Sequence, residues 1–189
     1  MTRREQIIKI AKIQFRERGY LSVSMRDLAT ILDIKAASLY NHITSKEEIL
    51  AEIIMQAANY FTEEMNVIKS LESSSVDKLK TVIDHHIDIT IRDPESIAIL
   101  NNDWMHLEGK VLREFLSLRK AYEENLRTII MEGVQKKEIN PQNIEIILFS
   151  LLSTLRQLHS WYSKQDDLSE DQFKEDIPKI LLNGMVSST

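Results

Sequence analysis

A chain of 189 residues, 43% hydrophobic and 28% charged, has enough apolar side chains for one sizeable core or two small domains. It contains no cysteine, which excludes a disulfide framework and thiolate metal or nucleophile chemistry and fits the cytoplasm. The formal net charge of −5 is unevenly spread: residues 1–50 hold nine Lys/Arg against six Asp/Glu, giving +3, so the remainder carries −8, as expected of a DNA-facing head on an acidic body.

Only four glycines and three prolines punctuate the chain, and no stretch alternates apolar and polar residues as a half-buried strand would. The pattern predicts an all-helical protein. The first helix runs from Arg3 to Arg18 and is stopped by Gly19. Ser24 then stands at an N-cap position, and Met25, Leu28, Ala29 and Leu32 recur at the spacing of one helical face. Asp33 breaks that pattern and Ile34 fills the gap. A second short helix, Ala36 to about His42, turns Leu39 and Ile43 inward and leaves Lys35, Ala36, Ser38, Asn41 and His42 outside, with Tyr40 at the edge. Small residues at Ala36, Ala37 and Ser38 permit close approach to a backbone, and Tyr40, Asn41 and His42 supply hydrogen-bonding groups. Two short helices joined in this way lay the second across a DNA major groove.

A long helix opens at Ser45-Lys46-Glu47-Glu48 and runs to about Ser70, followed by the polar cluster Leu71 to Ser75. Helices are then expected over Val76 to Arg92, Pro94 to about Asn101, Leu107 to Lys136 and Ile144 to Lys164. Asp93-Pro94 and Asn140-Pro141 read as cap and first-position pairs. Ser169 and Gln172 have capping-box spacing before a last helix ending near Gly184. The charged N-terminus lacks the apolar core of a signal peptide. The most apolar segment, Ile144 to Leu158, is interrupted by Ser150, Ser153, Thr154, Arg156 and Gln157, so it reads as a buried helix of a soluble protein.

The series Ile7, Ala11, Phe15 with Arg18-Gly19-Tyr20, then Ser24 to Ala29, Ser38 to His42 and Ser45 to Leu50 resembles the N-terminal DNA-binding domain of the TetR/AcrR family of transcriptional regulators. The resemblance implies a helix-turn-helix three-helix domain over residues 1–46 and a helical ligand-binding and dimerisation domain over residues 47–189. It also implies DNA contacts from Ser24, Met25, Arg26, Lys35, Ala36, Ala37, Ser38, Tyr40, Asn41, His42 and Lys46, with Lys46 on phosphate. Two positions depart from the family pattern. Asp33 stands where the turn usually has Gly, and Asp tolerates the left-handed conformation better than most residues. Lys35 stands where Ser often caps, adding a cation on the DNA side.

The C-terminal half resembles, through Arg119, Tyr122, Gly133, Trp161-Tyr162, Ser169 and Asn183-Gly184, regulators that respond to acyl-CoA thioesters. Together with the large apolar residues of the body, it points to a small, largely apolar effector, an acyl-CoA among the candidates, with Trp104, Phe115, Tyr122 and Trp161 as ligand-binding residues and Arg119 or Arg156 as the partner of a phosphate or carboxylate. Ile147, Leu151, Leu155 and Leu158 on the eighth helix, with Phe173, Ile177 and Leu181 on the last, are expected to form the interface of a homodimer.

His85-His86 with Asp84 and Asp88 invites a metal reading, but adjacent residues point about 100° apart on a helix, which favours structural or pocket-lining histidines over a metal site. No GxSxG, HExxH or phosphate-cradling glycine loop occurs. The expectation is therefore a DNA-binding, ligand-responsive repressor with no catalytic residues, cofactor, metal or membrane partner. The rival expectation is a ligand-independent DNA-binding protein of the same fold, architectural or partner-regulated, which a closed, side-chain-filled body would favour.

Overall fold

Thr2 closes the start of helix α1 (Arg3–Arg18) with a reciprocal cap. Its side chain accepts from the backbone N–H of Glu5 at 3.2 Å, and the Glu5 carboxylate accepts from the backbone N–H of Thr2 at 2.8 Å. Gly19 ends the helix at φ 82°, a conformation that a side chain would oppose. The computed structural model describes residues 1–186. Among these, nine α-helices and two short 3-10 turns account for the regular structure, with one isolated antiparallel bridge between Ile139 and Val186. None of the helices is long and apolar enough to cross a membrane.

The chain divides into two compact units. The first comprises residues 1–59 and 95–116. In it, α1 packs on α2 (Met25–Ile31), and α2 on α3 (Ala36–Tyr40). Ile7, Ala11 and Phe15 of α1, Leu28 and Ala29 of α2, Leu39 of α3 and Ile43 beyond it are buried, as are Ile49, Leu50 and Ile53 from the start of α4 (Lys46–Ser70). Helix α6 (Pro94–Asn102), opened by its proline as the sequence predicts, contributes buried Ile97 and Ile99.

The second unit comprises residues 60–94 and those from 117 onward. Its centre is α5 (Ser75–Arg92), which packs against both α8 (Ile144–Tyr162) and α9 (Glu170–Asn183). Leu79, Ile83 and Ile87 of α5 join Leu126 and Ile130 of α7 (Gly109–Gln135), Leu151 and Leu155 of α8, and Phe173 of α9 in one apolar core. At Gly133 on α7 the backbones approach so closely that a Cβ would lie 2.5 Å from Ile139 Cδ1 and 2.8 Å from Ser75 Cβ.

Local signals place several ends correctly. Ser169 accepts from the N–H of Gln172 at 3.2 Å, completing the expected box. Other ends differ. The Asn140-Pro141 pair does not cap α8; Asn143 does, accepting from the N–H groups of Glu145 and Ile146. Asn140 instead donates its backbone N–H to the Met185 carbonyl at 2.7 Å, beside the Ile139 to Val186 bridge. Helix α7 starts at Gly109 rather than Leu107, because Leu107 is buried behind the 3-10 turn Trp104–His106 and Gly109 takes φ 58°. Helix α3 is shorter than expected, ending at Tyr40.

Candidate functional site

The turn and α3 present an exposed polar surface on the first unit. Ser24 and Asp27 cap α2 reciprocally: Asp27 accepts from the Ser24 N–H at 2.8 Å and from its hydroxyl at 2.7 Å, and these bonds hold the carboxyl below its ordinary range. Asp33 adopts φ 52°, so aspartate supplies the left-handed turn, and the Ile34 N–H closes it onto the Ala29 carbonyl at 3.0 Å. With Leu39 and Ile43 buried, Lys35, Ala37, Tyr40, Asn41 and His42 are exposed and Ala36 and Ser38 half-buried. Lys35 stands at the N-cap position of α3 without making a side-chain cap.

Two of the expected contact residues, Met25 and Lys46, sit differently from this surface. Ser24 and Arg26 are exposed, but the Met25 side chain is buried in the unit's interior. Lys46 is half-buried, and its ammonium donates to the backbone carbonyl of Tyr20 at 2.9 Å while lying 4.3 Å from the centre of that residue's ring. Tyr20 is itself buried, edge-on to Phe15 at 5.1 Å and stacked on His106 at 5.3 Å. Burial, then the charge of Glu47, pushes its hydroxyl up to about 12. Sequence reasoning assigns Tyr20 and His106 no role. A tyrosine following the Gly19 helix stop is the only local sign that this ring turns inward.

The six residues expected to bind ligand are divided between the units. Trp104 and Phe115 belong to the first unit, with ring centres 5.9 Å apart. Arg119, Tyr122, Arg156 and Trp161 belong to the second. There Arg156 and Arg119 converge on Glu123, at 2.6 and 3.4 Å. Burial raises the Glu123 pKa, but the hydrogen bond and charge of Arg156, then those of Arg119, outweigh it and leave the carboxyl below its ordinary value. The Tyr122 hydroxyl and His86 Nε2 share a hydrogen bond of 2.9 Å, with Phe61 4.6 Å from the His86 ring. Burial, then the positive charges of Arg156 and His85, drives the His86 imidazole down to about 3, and burial pushes the Tyr122 hydroxyl up. Trp161 is half-exposed, 6.1 Å from Phe173.

His86 therefore turns to Tyr122, whereas His85 Nδ1 lies 3.0 Å from Glu64, so the neighbouring histidines face different partners. On α8 and α9, Ile147, Leu151, Leu155, Leu158 and Phe173, all expected at a dimer interface, are buried within the single chain, with Ile177 and Leu181 packed against that core. The apolar residues these helices leave open are Ile146, Phe149 and Ile180, at 64%, 71% and 69% exposure, and Trp161.

Comparison with known proteins covers nearly the whole chain. The family "Bacterial regulatory proteins, tetR family" matches residues 7–53, and "Tetracyclin repressor-like, C-terminal domain" matches residues 72–185. The chain is 22% identical to the HTH-type transcriptional repressor KstR2 of Mycolicibacterium smegmatis, covering 99% of this chain and 92% of the relative. It is 25% identical to IcaR of Staphylococcus aureus, the negative transcriptional regulator of the biofilm operon icaADBC, over 94% of this chain and 96% of that one. The solved structure of the ketosteroid transcriptional regulator KstR2 of Mycobacterium tuberculosis superimposes with a TM-score of 0.92 at 18% identity, covering 99% and 96% of the two chains. AibR in complex with isovaleryl coenzyme A and operator DNA gives 0.82 at 22% identity, covering 95% and 97%. These families and relatives are transcriptional regulators rather than enzymes.

Proposed function

Because this chain belongs to the TetR family and is a DNA-binding transcriptional regulator, we propose that it acts as a homodimeric repressor in the cytoplasm, released from its operator when a small apolar effector binds its C-terminal domain. In this reading residues 1–46 form the DNA-binding domain and residues 47–189 the effector and dimerisation domain. Helix α3 enters the major groove. Lys35, Ser38 and Asn41 reach base edges, while Ala36 and Ala37 permit the close approach and Ser24, Arg26, Tyr40 and His42 meet the backbone. In a two-fold dimer the paired α3 helices must stand about 34–36 Å apart, or a multiple of it, to enter successive grooves on one side of the duplex. A second copy covers Ile146, Phe149 and Ile180, which a lone chain leaves in water.

The effector reading rests chiefly on one observation: a structural neighbour over almost the whole chain, AibR, is a complex holding both isovaleryl coenzyme A and operator DNA. An acyl-CoA is accordingly the first effector class to test. Within the second unit, Arg119 and Arg156 suit its anionic groups, and Tyr122 and Trp161 its apolar chain. The effector acts only by its difference in affinity for the operator-competent and released states.

The test is a panel of acyl-CoA thioesters, from short to steroid-like, with the parent acids. A true effector at one hundred times its dissociation constant raises the folding stability by about 2.7 kcal/mol, seen as a melting shift. It also changes affinity for a duplex selected by the protein by about 5–150-fold, and that duplex reciprocally changes effector affinity. A panel that neither stabilises the protein nor alters DNA binding sinks the acyl-CoA assignment and favours ligand-independent regulation by the same fold.

A further inference from the structure

Helix α3 is only five residues long and carries no side-chain cap at Lys35, so its orientation is fixed from outside. Its N-terminal side is set by the Asp33 turn, its inner face by Leu39 and Ile43. At its exit, the guanidinium of Arg4 donates through Nη1 to the His42 carbonyl at 2.7 Å, through Nη2 to Glu48 at 2.7 Å, and through Nε to Glu52 at 3.0 Å. Glu48 uses its other oxygen to accept from the Thr44 N–H at 2.7 Å and from the Thr44 hydroxyl. The Ser45-x-x-Glu48 spacing spells a capping box, yet the carboxylate reaches one residue further back to Thr44, while Ser45 accepts from the Glu48 N–H at 3.2 Å. One arginine from the first turn of α1 thereby joins the chain leaving α3 to the first turn of α4.

We propose that Arg4, acting with Glu48, is a positioning residue that sets the angle at which α3 meets DNA, an inference that rests on the reading of α3 as the recognition helix. A planar guanidinium with donors in a fixed fork defines the relative placement of three segments in a way a flexible ammonium does not. The alternative role for an arginine near a DNA surface is direct attraction to phosphate. Electrostatics separates the two. Arg4 is matched here by two carboxylates, so the cluster carries net negative charge beside a polyanion. If the cluster acted only through its field, removing Glu48's charge would strengthen DNA binding. If it acts as a clamp, the same change weakens binding.

The experiment uses the full chain, a duplex selected by the wild type from a randomised library, and a random-sequence duplex, titrated by fluorescence anisotropy over a range of salt. Arg4→Gln and Glu48→Gln are each expected to weaken the selected duplex by about tenfold or more. They should lower discrimination against the random duplex and leave the salt slope unchanged. The double variant should be little worse than the worse single, because both break one network. Glu48→Gln binding as tightly as wild type or tighter overturns the proposal, as does an Arg4→Gln salt slope reduced by about 1, which marks a phosphate contact. Loss of helix content in either variant without DNA overturns it in favour of a fold-holding role. A wild type that enriches no sequence from the library, or that is indifferent to Lys35→Ala and Asn41→Ala, sinks the underlying assignment of α3 instead.

Discussion

The ammonium of Lys46 is held 2.9 Å from the carbonyl oxygen of Tyr20 and 4.3 Å from the centre of its ring. The sequence points this residue at phosphate, but within the folded unit the charge already has an acceptor and an aromatic face. Lys46→Ala is predicted to lower folding stability by about 1–2 kcal/mol, from loss of a charged hydrogen bond and a cation–π interaction. Its DNA affinity should fall with the salt slope intact. Chemical denaturation and salt titration of one variant measure both, and a slope smaller by about 1 would return the ammonium to the phosphate.

Lys35, Ser38 and Asn41 are predicted to carry sequence preference. Alanine at Lys35 or Asn41 should weaken binding by roughly 1–3 kcal/mol per base-edge interaction removed and relax selectivity at particular base pairs. Library selection with each variant reads this directly. An unchanged preference with uniformly weaker binding would place these side chains on the DNA backbone.

Phe149 and Leu155 sit on one helix at 71% and 1% exposure, and they separate interface from core. Phe149→Glu is predicted to give a folded monomer with weakened operator binding, because its two-fold partner is gone. Leu155→Glu buries an unpaired charge in the core and should unfold the second unit. Sedimentation and circular dichroism distinguish the outcomes. A wild type that sediments as a monomer at micromolar concentration would end the dimer proposal.

His86 is predicted to make the second unit acid-sensitive. Its imidazole titrates near 3 in the fold, against about 6.5 when unfolded. The unfolded chain therefore takes up the proton first as pH falls. The stability associated with the neutral ring is complete above the unfolded value and drains away toward the folded one. Between about pH 7 and pH 5 the loss is about 2 kcal/mol. His86→Phe removes this dependence while leaving the Tyr122 hydroxyl unpaired, at about 1–3 kcal/mol near pH 7. Wild type and variant should thus converge in stability as the pH is lowered, as followed by urea unfolding. Parallel curves would mean that His86 does not titrate as a buried neutral group.

What could be read in the sequence was chemistry complete within a few residues. Ser24, Ser169 with Gln172, Gly19 and Pro94 each mark a helix end through a bond or a dihedral formed locally, and the structure has them there. The outward set on α3 follows equally from Leu39 and Ile43 alone, since burying those two decides which side faces out. The failures are interactions at long separation. Asn143 caps α8 in place of Asn140, whose backbone N–H and side-chain amide donate instead to the Met185 and Val186 carbonyls, far along the chain. The buried stripe of α8 could not be told from its exposed one, because apolar residues occur on both and only packing into the core of the second unit selects Leu151 and Leu155 over Ile146 and Phe149. Lys46 shows no sign of its acceptor because a backbone carbonyl has no letter in the sequence.

The close approach at Gly133 also constrains the order in which this protein can change. A methyl group there would overlap both the Ile139 side chain and the Ser75 Cβ. The Ile139 end of the clash can give way by trimming that side chain, whereas the Ser75 Cβ stays with any residue except glycine. A lineage drifting from Gly133 to alanine must therefore first open space at 139 and let the start of α5 retreat, accepting a looser core in the interval. The reverse order passes through a chain in which the Ile139 side chain and the start of α5 must both shift to admit the methyl group. Residues 75, 133 and 139 should accordingly vary together among descendants of this sequence, and a glycine at 133 should persist wherever a bulky side chain stands at 139.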